Sequence, residues 1–587
     1  MRSNLATLRS SFARVGYTPE LLEEGHVNEA GARIPWCVGY ALLPRTARNA
    51  CVAAIEAASP ATVEQVLKLT GAPVALVLDG AEVTVLQQGV GGVTKADVVP
   101  VQEFADLTDR ARTFIDPRSI HRAKTLGRFD ASYQLTFVDV GLLPQIERTQ
   151  GEDLGRLLER IVAALRLPAD KLTNEQRHQV LTIAFWILAA RMLRDHGVPD
   201  FVKLNADGRS VLQAIARHYG GAVPILAAHK KWQPRIEAAT ALAWQFGGNL
   251  GKIGPEAIAY VNESSLIAEQ TRRDLGTHST PPFIVEYVLG RLREAILAIP
   301  VGRRLVVEPA CGHAAFLVAA LRVLAEDVPA DATRHDYLRD HLRGLEIDHA
   351  AKELARLSLT VADVPNSDGW DLRESDMFEG DALANLGQGG TILLANPPFE
   401  NFDEEERARL SEASGEPVLS NKASEMLRRV LPALAPDAVI GVVMPRSFLS
   451  SEGDRALRSL ILASFELIEI CVFPDQVFRF SDHECVVILA RGAPGGTKRD
   501  TPVAFRRVRE AGMAGFRECA RVSAEEMVPG SIFLDRPEAD LALPELRRIW
   551  SARGWSTLID IAFVQQGLSY HGWVRQSGHE TVRDHAF

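Results

Sequence analysis

The chain predicts an α/β protein whose centre, from about 276 to 495, is a parallel, doubly wound sheet. Two observations carry this. Apolar β runs recur at 304–308, 343–347, 391–395, 439–444, 467–473 and 485–490. Helical stretches separate the earlier ones, as crossovers between parallel strands require. The flanks differ from the centre. Residues 1–145 mix short strand and helix patterns, 146–270 are mainly helical, and 496–587 open on the Gly/Pro-rich "RGAPGGTKRD" and are weakly patterned.

The N-terminal stretch predicts a small α/β accessory domain. "PVALVLDGAEVTVLQ" reads as a hairpin, two β-branched runs joined at Asp79-Gly80, a strong turn dipeptide. A restriction-type nuclease centre would need a lysine two residues after an acid here. Glu82 is followed by Val83 and Thr84 instead, so the segment is expected to be a degenerate nuclease or something else. In the next region, "EDLGRLLERIVAALRL" and "NEQRHQVLTIAFWILAARMLRDH" carry apolar residues at i, i+3, i+4 spacing, which predicts a helical bundle.

Bulk properties narrow the field only partly. The chain has 587 residues, too many for one core, and an ordinary globular composition of 47% hydrophobic and 24% charged residues. Its six cysteines form no CxxC pair or metal-ligand spacing. That argues for reduced thiols in a cytoplasm and against structural zinc. The start "MRSNLATLRSSFARVGY" lacks an apolar signal core, and "VLTIAFWILAA" is too short to span a bilayer. The net charge of −10 neither advertises nor excludes nucleic-acid binding, because a duplex needs only a local basic stripe.

Five stretches of the central region fit one job. In "RLVVEPACGHAAFLVAALRVL" an apolar strand ends at Glu308, a small-residue turn follows, and a helix begins near Ala314. Such a turn brings backbone N–H groups to a ligand, although packing alone would also explain it. In "LRGLEIDHAAKELARL" a second strand ends at Glu346 and Asp348. A carboxylate there suits ribose hydroxyls, and Asp348 also suits a helix N-terminus. In "FEGDALANL", Asp381 can accept from an adenine amino group, with Asp376 of "ESDMF" as the competing candidate.

The fourth stretch is "TILLANPPFENF". Two prolines end a strand because neither can donate to the ladder. Asn396 and the Pro397 carbonyl are acceptors, and Phe399 offers a face for a planar base. The fifth, "DLGTHSTPPFIVEYVLGRL", is a helix start with prolines in its first turn. It could also wall one side of a cofactor pocket.

In this order, "GTHSTPPF", "EPACGHAAF", "GLEID", "GDAL" and "NPPF" resemble the gamma class of adenine-N6 DNA methyltransferases of restriction–modification systems. The resemblance covers 276 to about 491. It implies a Rossmann-like, seven-stranded methyltransferase core at 271–495, preceded by the helical bundle and the small N-terminal domain. It implies S-adenosylmethionine as cofactor, lined by Thr280, Glu308, Ala310, Gly312 and Phe316. Glu346 would hold the ribose, Ile347 pack on the adenine, and Asp381 accept its amino group. Asn396, Pro397, Pro398 and Phe399 would form the catalytic cradle for a flipped-out adenine, and no metal is expected. Glu308 replaces the more usual Asp, and His313 stands where a small residue is common. Cys311 is expected to be a packing residue.

The resemblance further implies double-stranded DNA as substrate and a specificity or restriction subunit as partner, with no membrane role. "STLIDIAFVQQGLSYHGW" looks like the start of a target recognition region, which would either continue beyond this sequence or come from a separate subunit. Two other readings fit the same motifs: a methyltransferase acting on RNA or a protein glutamine, and a non-catalytic DNA-binding scaffold that keeps the fold.

Overall fold

The computed structural model describes residues 4–29, 31–56, 58–89, 92–126, 143–165, 173–248, 250–258, 280–329, 332–366, 368–475, 477–478, 484–535 and 540–542. The stretch 276–279, which opens the first motif, and the recognition-like segment at 556–573 lie outside these residues, as does most of 496–587 beyond 535. No helix among the described residues is long and apolar enough to cross a membrane.

Six strands form the N-terminal sheet in the spatial order of the sequence: β1 (Leu22–Glu29), β2 (Ala32–Tyr40), β3 (Ala50–Glu56), β4 (Val74–Asp79), β5 (Glu82–Gly89) and β6 (Gly92–Pro100). Only β3 and β4 run parallel, joined by helix α1 (Pro60–Thr70), which Ser59 caps and Gly71 ends with φ +76°. The expected hairpin is β4–β5, with Asp79 opposite Glu82 and Gly80 in the left-handed region at the turn.

The helical region packs α2 (Leu143–Leu165), α3 (Asn174–Asp195), α4 (Gly208–His218) and α5 (Gln233–Gln245) around one apolar core. Helix α3 starts with a full capping box between Thr173 and Gln176. The apolar run inside it, Ile183 to Ala190, is buried. It packs in a core that also takes in Ala350, Leu354 and Leu357 of a later helix.

Among the described residues the large sheet has nine strands, in the order β15-β14-β12-β13-β11-β10-β7-β8-β9. They are β7 (Val306–Glu308), β8 (Leu342–Glu346), β9 (Asp371–Glu374), β10 (Ile392–Ala395), β11 (Val439–Pro445), β12 (Phe465–Phe473), β13 (Cys485–Gly492), β14 (Pro502–Arg507) and β15 (Ala524–Pro529). Strands β9-β8-β7-β10-β11 are parallel, and β13 runs antiparallel between β11 and β12. Seven strands were expected and nine are present, because β14 and β15 extend the β12 edge. Every residue of β10 and β11 is buried, the continuous apolar pattern of a sheet covered on both faces. Separate apolar cores line those two faces.

Four helices matter for the site: α6 (Pro282–Ala298), α7 (Ala315–Leu324), α8 (His349–Ala362) and α9 (Lys422–Val430). A buried charged seam joins α6 and α7 to the N-terminal region. Arg48 lies 2.9 Å from Glu286 of α6 and 3.6 Å from Glu256, and Glu256 also pairs with Arg322 of α7. On the other side, Trp186 of α3 donates to Glu353 of α8 at 3.2 Å.

Candidate active site

The strand order fixes where a site can form. From β7 the crossovers run outward to β8 and β9, then return to place β10 on the other side of β7. The connections leaving the carboxyl ends of β7 and β10 therefore diverge, and a crevice opens between them. Thr391 fixes the register of the two strands from their opposite, amino ends. Its hydroxyl accepts from the Leu305 N–H at 2.8 Å and donates to the Arg303 carbonyl at 2.7 Å.

After β7 the chain turns tightly into α7. Gly312 has φ +53°, and Ala314, the residue before the helix, also has positive φ at +67°. A left-handed alanine costs on the order of 1 kcal/mol. Three bonds hold the turn: Cys311 N–H to the Leu345 carbonyl at 2.9 Å, Ala314 N–H to the Cys311 carbonyl at 2.7 Å, and Gly312 N–H to Glu346 Oε2 at 2.8 Å. Cys311 is buried in the apolar core, and burial pushes its thiol well up. It is a packing residue, as expected. Ala310 is half-buried on the turn, whereas Phe316, in the first turn of α7, is fully buried.

Glu346 is the link between the first and second strand ends. Its Oε1 accepts from the Asp348 N–H at 2.9 Å while Oε2 holds Gly312. Burial raises its carboxyl to about 7 despite those two donors. Glu308 is buried nearby, its Oε2 without a hydrogen-bond partner among the described residues. Burial, with the Glu346 charge adding, pushes its carboxyl well above the usual range. Ile347 is 47% exposed, an apolar side chain left open at the end of β8. Asp348 turns to α8 and caps it, accepting from Ala351 N–H at 2.7 Å.

The two aspartates after β9 occupy different places. Asp376 lies two residues past the strand, half-buried, and its Oδ1 accepts from Phe378 N–H at 2.9 Å. Asp381 is exposed at the start of the short helix Ala382–Gly387, without a side-chain cap bond. Of the two, Asp376 stands at the strand end.

At the end of β10, Asn396 is half-buried, Pro397 is buried, and Phe399 packs edge-on against Phe478 with ring centroids 5.8 Å apart. The Asn396 Nδ2 donates to Thr280 Oγ at 3.0 Å. Thr280 was expected along the cofactor; here its hydroxyl is on the amide that the motif turns on. The far side of the loop is held by Asn421, a residue the motif reading missed. Its Nδ2 donates to the Phe399 carbonyl at 2.8 Å, and its Oδ1 caps α9 through Ala423 and Ser424 N–H groups. "SNKASEM" signals a helix cap, but the bond to Phe399 spans 22 residues and has no local signature. Within α9, fully buried Glu425 holds Arg428 and Arg429, and Arg429 donates to the Phe378 carbonyl at 3.0 Å. The third and fourth strand ends are thereby tied together.

The result is an acceptor-lined crevice at the switch point of a doubly wound sheet, with acids at neighbouring strand ends, the place where open α/β sheets bind ligands. Residues 263–527, just under half of the chain, match the N-6 DNA Methylase family model. A segment of 190 residues is 23% identical to the type II restriction enzyme and methyltransferase RM.BcgI of Heyndrickxia coagulans, covering 32% of this chain and 28% of that protein. The match thus spans under a third of the curated relative's length. Among solved structures, the type IIG restriction endonuclease BpuSI aligns with TM-score 0.46 at 13% identity, over 93% of this chain and 64% of that one. The methyltransferase subunit of a type I restriction–modification system from Streptococcus thermophilus aligns with TM-score 0.42 at 14% identity, over 67% and 99%.

Proposed function

We propose that the chain is a DNA adenine-N6 methyltransferase of a restriction–modification or related defence system, using S-adenosylmethionine. The observation that carries this is the exit of β10. Asn396 gives its amide nitrogen to Thr280, so its oxygen is left as an acceptor, and Pro397 and Pro398 have no N–H to offer. A cradle that only accepts suits an amino group with two hydrogens, and Phe399 supplies a face for its ring.

The residues around the turn fit the cofactor. Glu308 has a buried carboxyl oxygen in want of a partner, Glu346 a carboxylate between two strand ends, and Ile347 an uncovered apolar surface. Glu308 and the Gly312 turn would hold the amino-acid end, Glu346 the ribose, and Ile347 the adenine, with Asp376 or Asp381 accepting the adenine amine. S-adenosylmethionine, when bound, supplies an electrophilic methyl on a sulfonium. The chain's own work is then positional: Asn396 Oδ1 and the Pro397 carbonyl draw on the target's amino hydrogens and hold its lone pair in line. Rotating the target base out of the duplex costs a few kcal/mol, which stacking on Phe399, worth about 1–3 kcal/mol, helps to offset. A specificity or restriction subunit is the proposed partner for choosing the site.

The test is tritiated methyl transfer from S-adenosylmethionine to unmethylated DNA, with Asn396→Ala as control. Label appearing at adenine N6 and lost in the variant is expected. Label entering only RNA or protein, or none with any DNA even in the presence of a specificity subunit, would overturn the proposal.

A further inference from the structure

Asn396 has two faces of opposite sense, an oxygen that accepts and an NH2 that donates. The cradle works only in one orientation. Rotated by 180° about its last bond, the same side chain would present donors to a group that is itself a donor, losing one bond and setting two N–H groups against each other. Nothing in the asparagine itself selects the orientation, since the two ends are nearly the same size. The two residues that follow, Pro397 and Pro398, carry no N–H that could hold its oxygen.

The partner that does select it comes from 116 residues upstream. Thr280 stands immediately before the Pro281-Pro282 start of α6, where fixed proline φ values limit the freedom of the chain carrying it. Ile284 and Val285 donate their N–H groups to the Pro281 carbonyl, anchoring that first turn. Helix α6 is in turn seated on β11 so closely that a Cβ on Gly441 would meet Val288 at 2.6 Å. The hydroxyl is thus delivered from a rigid element, 3.0 Å from Asn396 Nδ2.

Resting on the methyltransferase reading, we infer that Thr280 is a positioning residue for the transfer step. Its oxygen accepts from the Asn396 amide, and this locks the carbonyl oxygen toward the target amine. This role differs from lining the cofactor, and the two separate in kinetics. A cofactor wall acts on KM for S-adenosylmethionine, whereas an amide lock acts on kcat.

The experiment uses the full chain as wild type, Thr280→Val and Thr280→Ser. Valine keeps the shape and removes the acceptor; serine restores the hydroxyl. Expected are a fall in kcat of about tenfold for valine, the size of one hydrogen bond, recovery of most of it by serine, and S-adenosylmethionine affinity by calorimetry within about twofold in all three. In parallel, asparagine-selective 15N spectra, with the Asn396 signal assigned through Asn396→Asp, follow exchange of its side-chain NH2. Faster exchange in the valine variant than in the serine variant is expected. An unchanged kcat in Thr280→Val, or a lost cofactor affinity with kcat intact, would overturn the inference. So would an amide exchange rate identical in all three proteins. If the wild type labels no DNA, the proposed function falls by itself, and the exchange measurement still decides whether Thr280 holds the amide.

Discussion

The N-terminal sheet and the large sheet are built from the same materials, short apolar strands with helices laid on them, but their strands are ordered differently. In the first, every neighbour in space is a neighbour in sequence. Its connections are hairpins apart from the one β3–α1–β4 crossover, so no two crossovers part to leave a crevice. In the second, the order reverses between β7 and β10. Two connections leave in opposite directions there, and Glu308, Gly312, Glu346 and Asn396 lie at adjacent strand ends. The acids of the first sheet show the contrast: Asp79 and Glu82 face each other at an exposed hairpin tip, with no lysine beside them in sequence. Strand order, more than composition, separates a sheet that can hold a ligand from one that supports its neighbours.

Removing one polar group from each sheet tests this difference directly. Asn396→Ala is expected to lower methyl transfer by at least about a hundredfold, the scale of losing a preorganised acceptor, while Glu82→Ala leaves it within about twofold. A comparable loss from Glu82→Ala would show that the N-terminal sheet holds chemistry after all.

A second prediction concerns pH. The Glu346 carboxyl titrates at about 7 in the folded protein, against an ordinary value near 4.3 in an unfolded chain. Between these values the folded state holds the extra proton, so this residue's contribution to stability falls as pH rises and levels off above 7. With Glu346 in its proposed role at the ribose, ligand affinity should run the other way, because hydroxyls would donate to the carboxylate. Calorimetry from pH 5.5 to 8.5 should show S-adenosylmethionine binding weaken toward about tenfold per unit below pH 7, and Glu346→Gln should flatten that slope.

Asn421→Ala comes next. It removes both the α9 cap and the bond to the Phe399 carbonyl, so the expected cost is about 1 kcal/mol of stability with a several-fold drop in kcat. Denaturant melts and initial rates check this; stability lost without any change in rate would confine Asn421 to capping. The smallest effect is Ala314→Gly. It relieves a left-handed alanine but adds chain entropy, and should shift stability by no more than about 1 kcal/mol. Ala314→Val should destabilise clearly.

Much of this was legible in the sequence wherever apolar runs and strand ends coincide. Strands β7, β8, β10 and β11 were expected within two residues of where they lie, because central parallel strands are apolar on both faces. Strand β9, "DLRE", escaped notice because a four-residue edge strand with no buried side chain has no apolar signature. Strand β15, exposed at five of six positions, escaped for the same reason. The motif residues were legible as types, but not their partners. Thr280 on Asn396 and Asn421 on Phe399 are contacts across 116 and 22 residues, and periodicity cannot encode such pairings. Between Asp376 and Asp381 the order of the motifs favoured the second, while the end of β9 lies beside the first.

The charged seam at Arg48, Glu256, Glu286 and Arg322 bears on how the molecule can be divided. Cutting the chain ahead of the methylase region would take Arg48 from Glu286 of α6 and Glu256 from Arg322 of α7. Removing one partner of a buried ion pair costs about 3–5 kcal/mol, and the first turn of α6 follows Thr280 directly. The N-terminal sheet is therefore no detachable cassette. A chimaera that swaps it for another accessory unit must bring its own arginine to Glu286, or carry a neutral residue there.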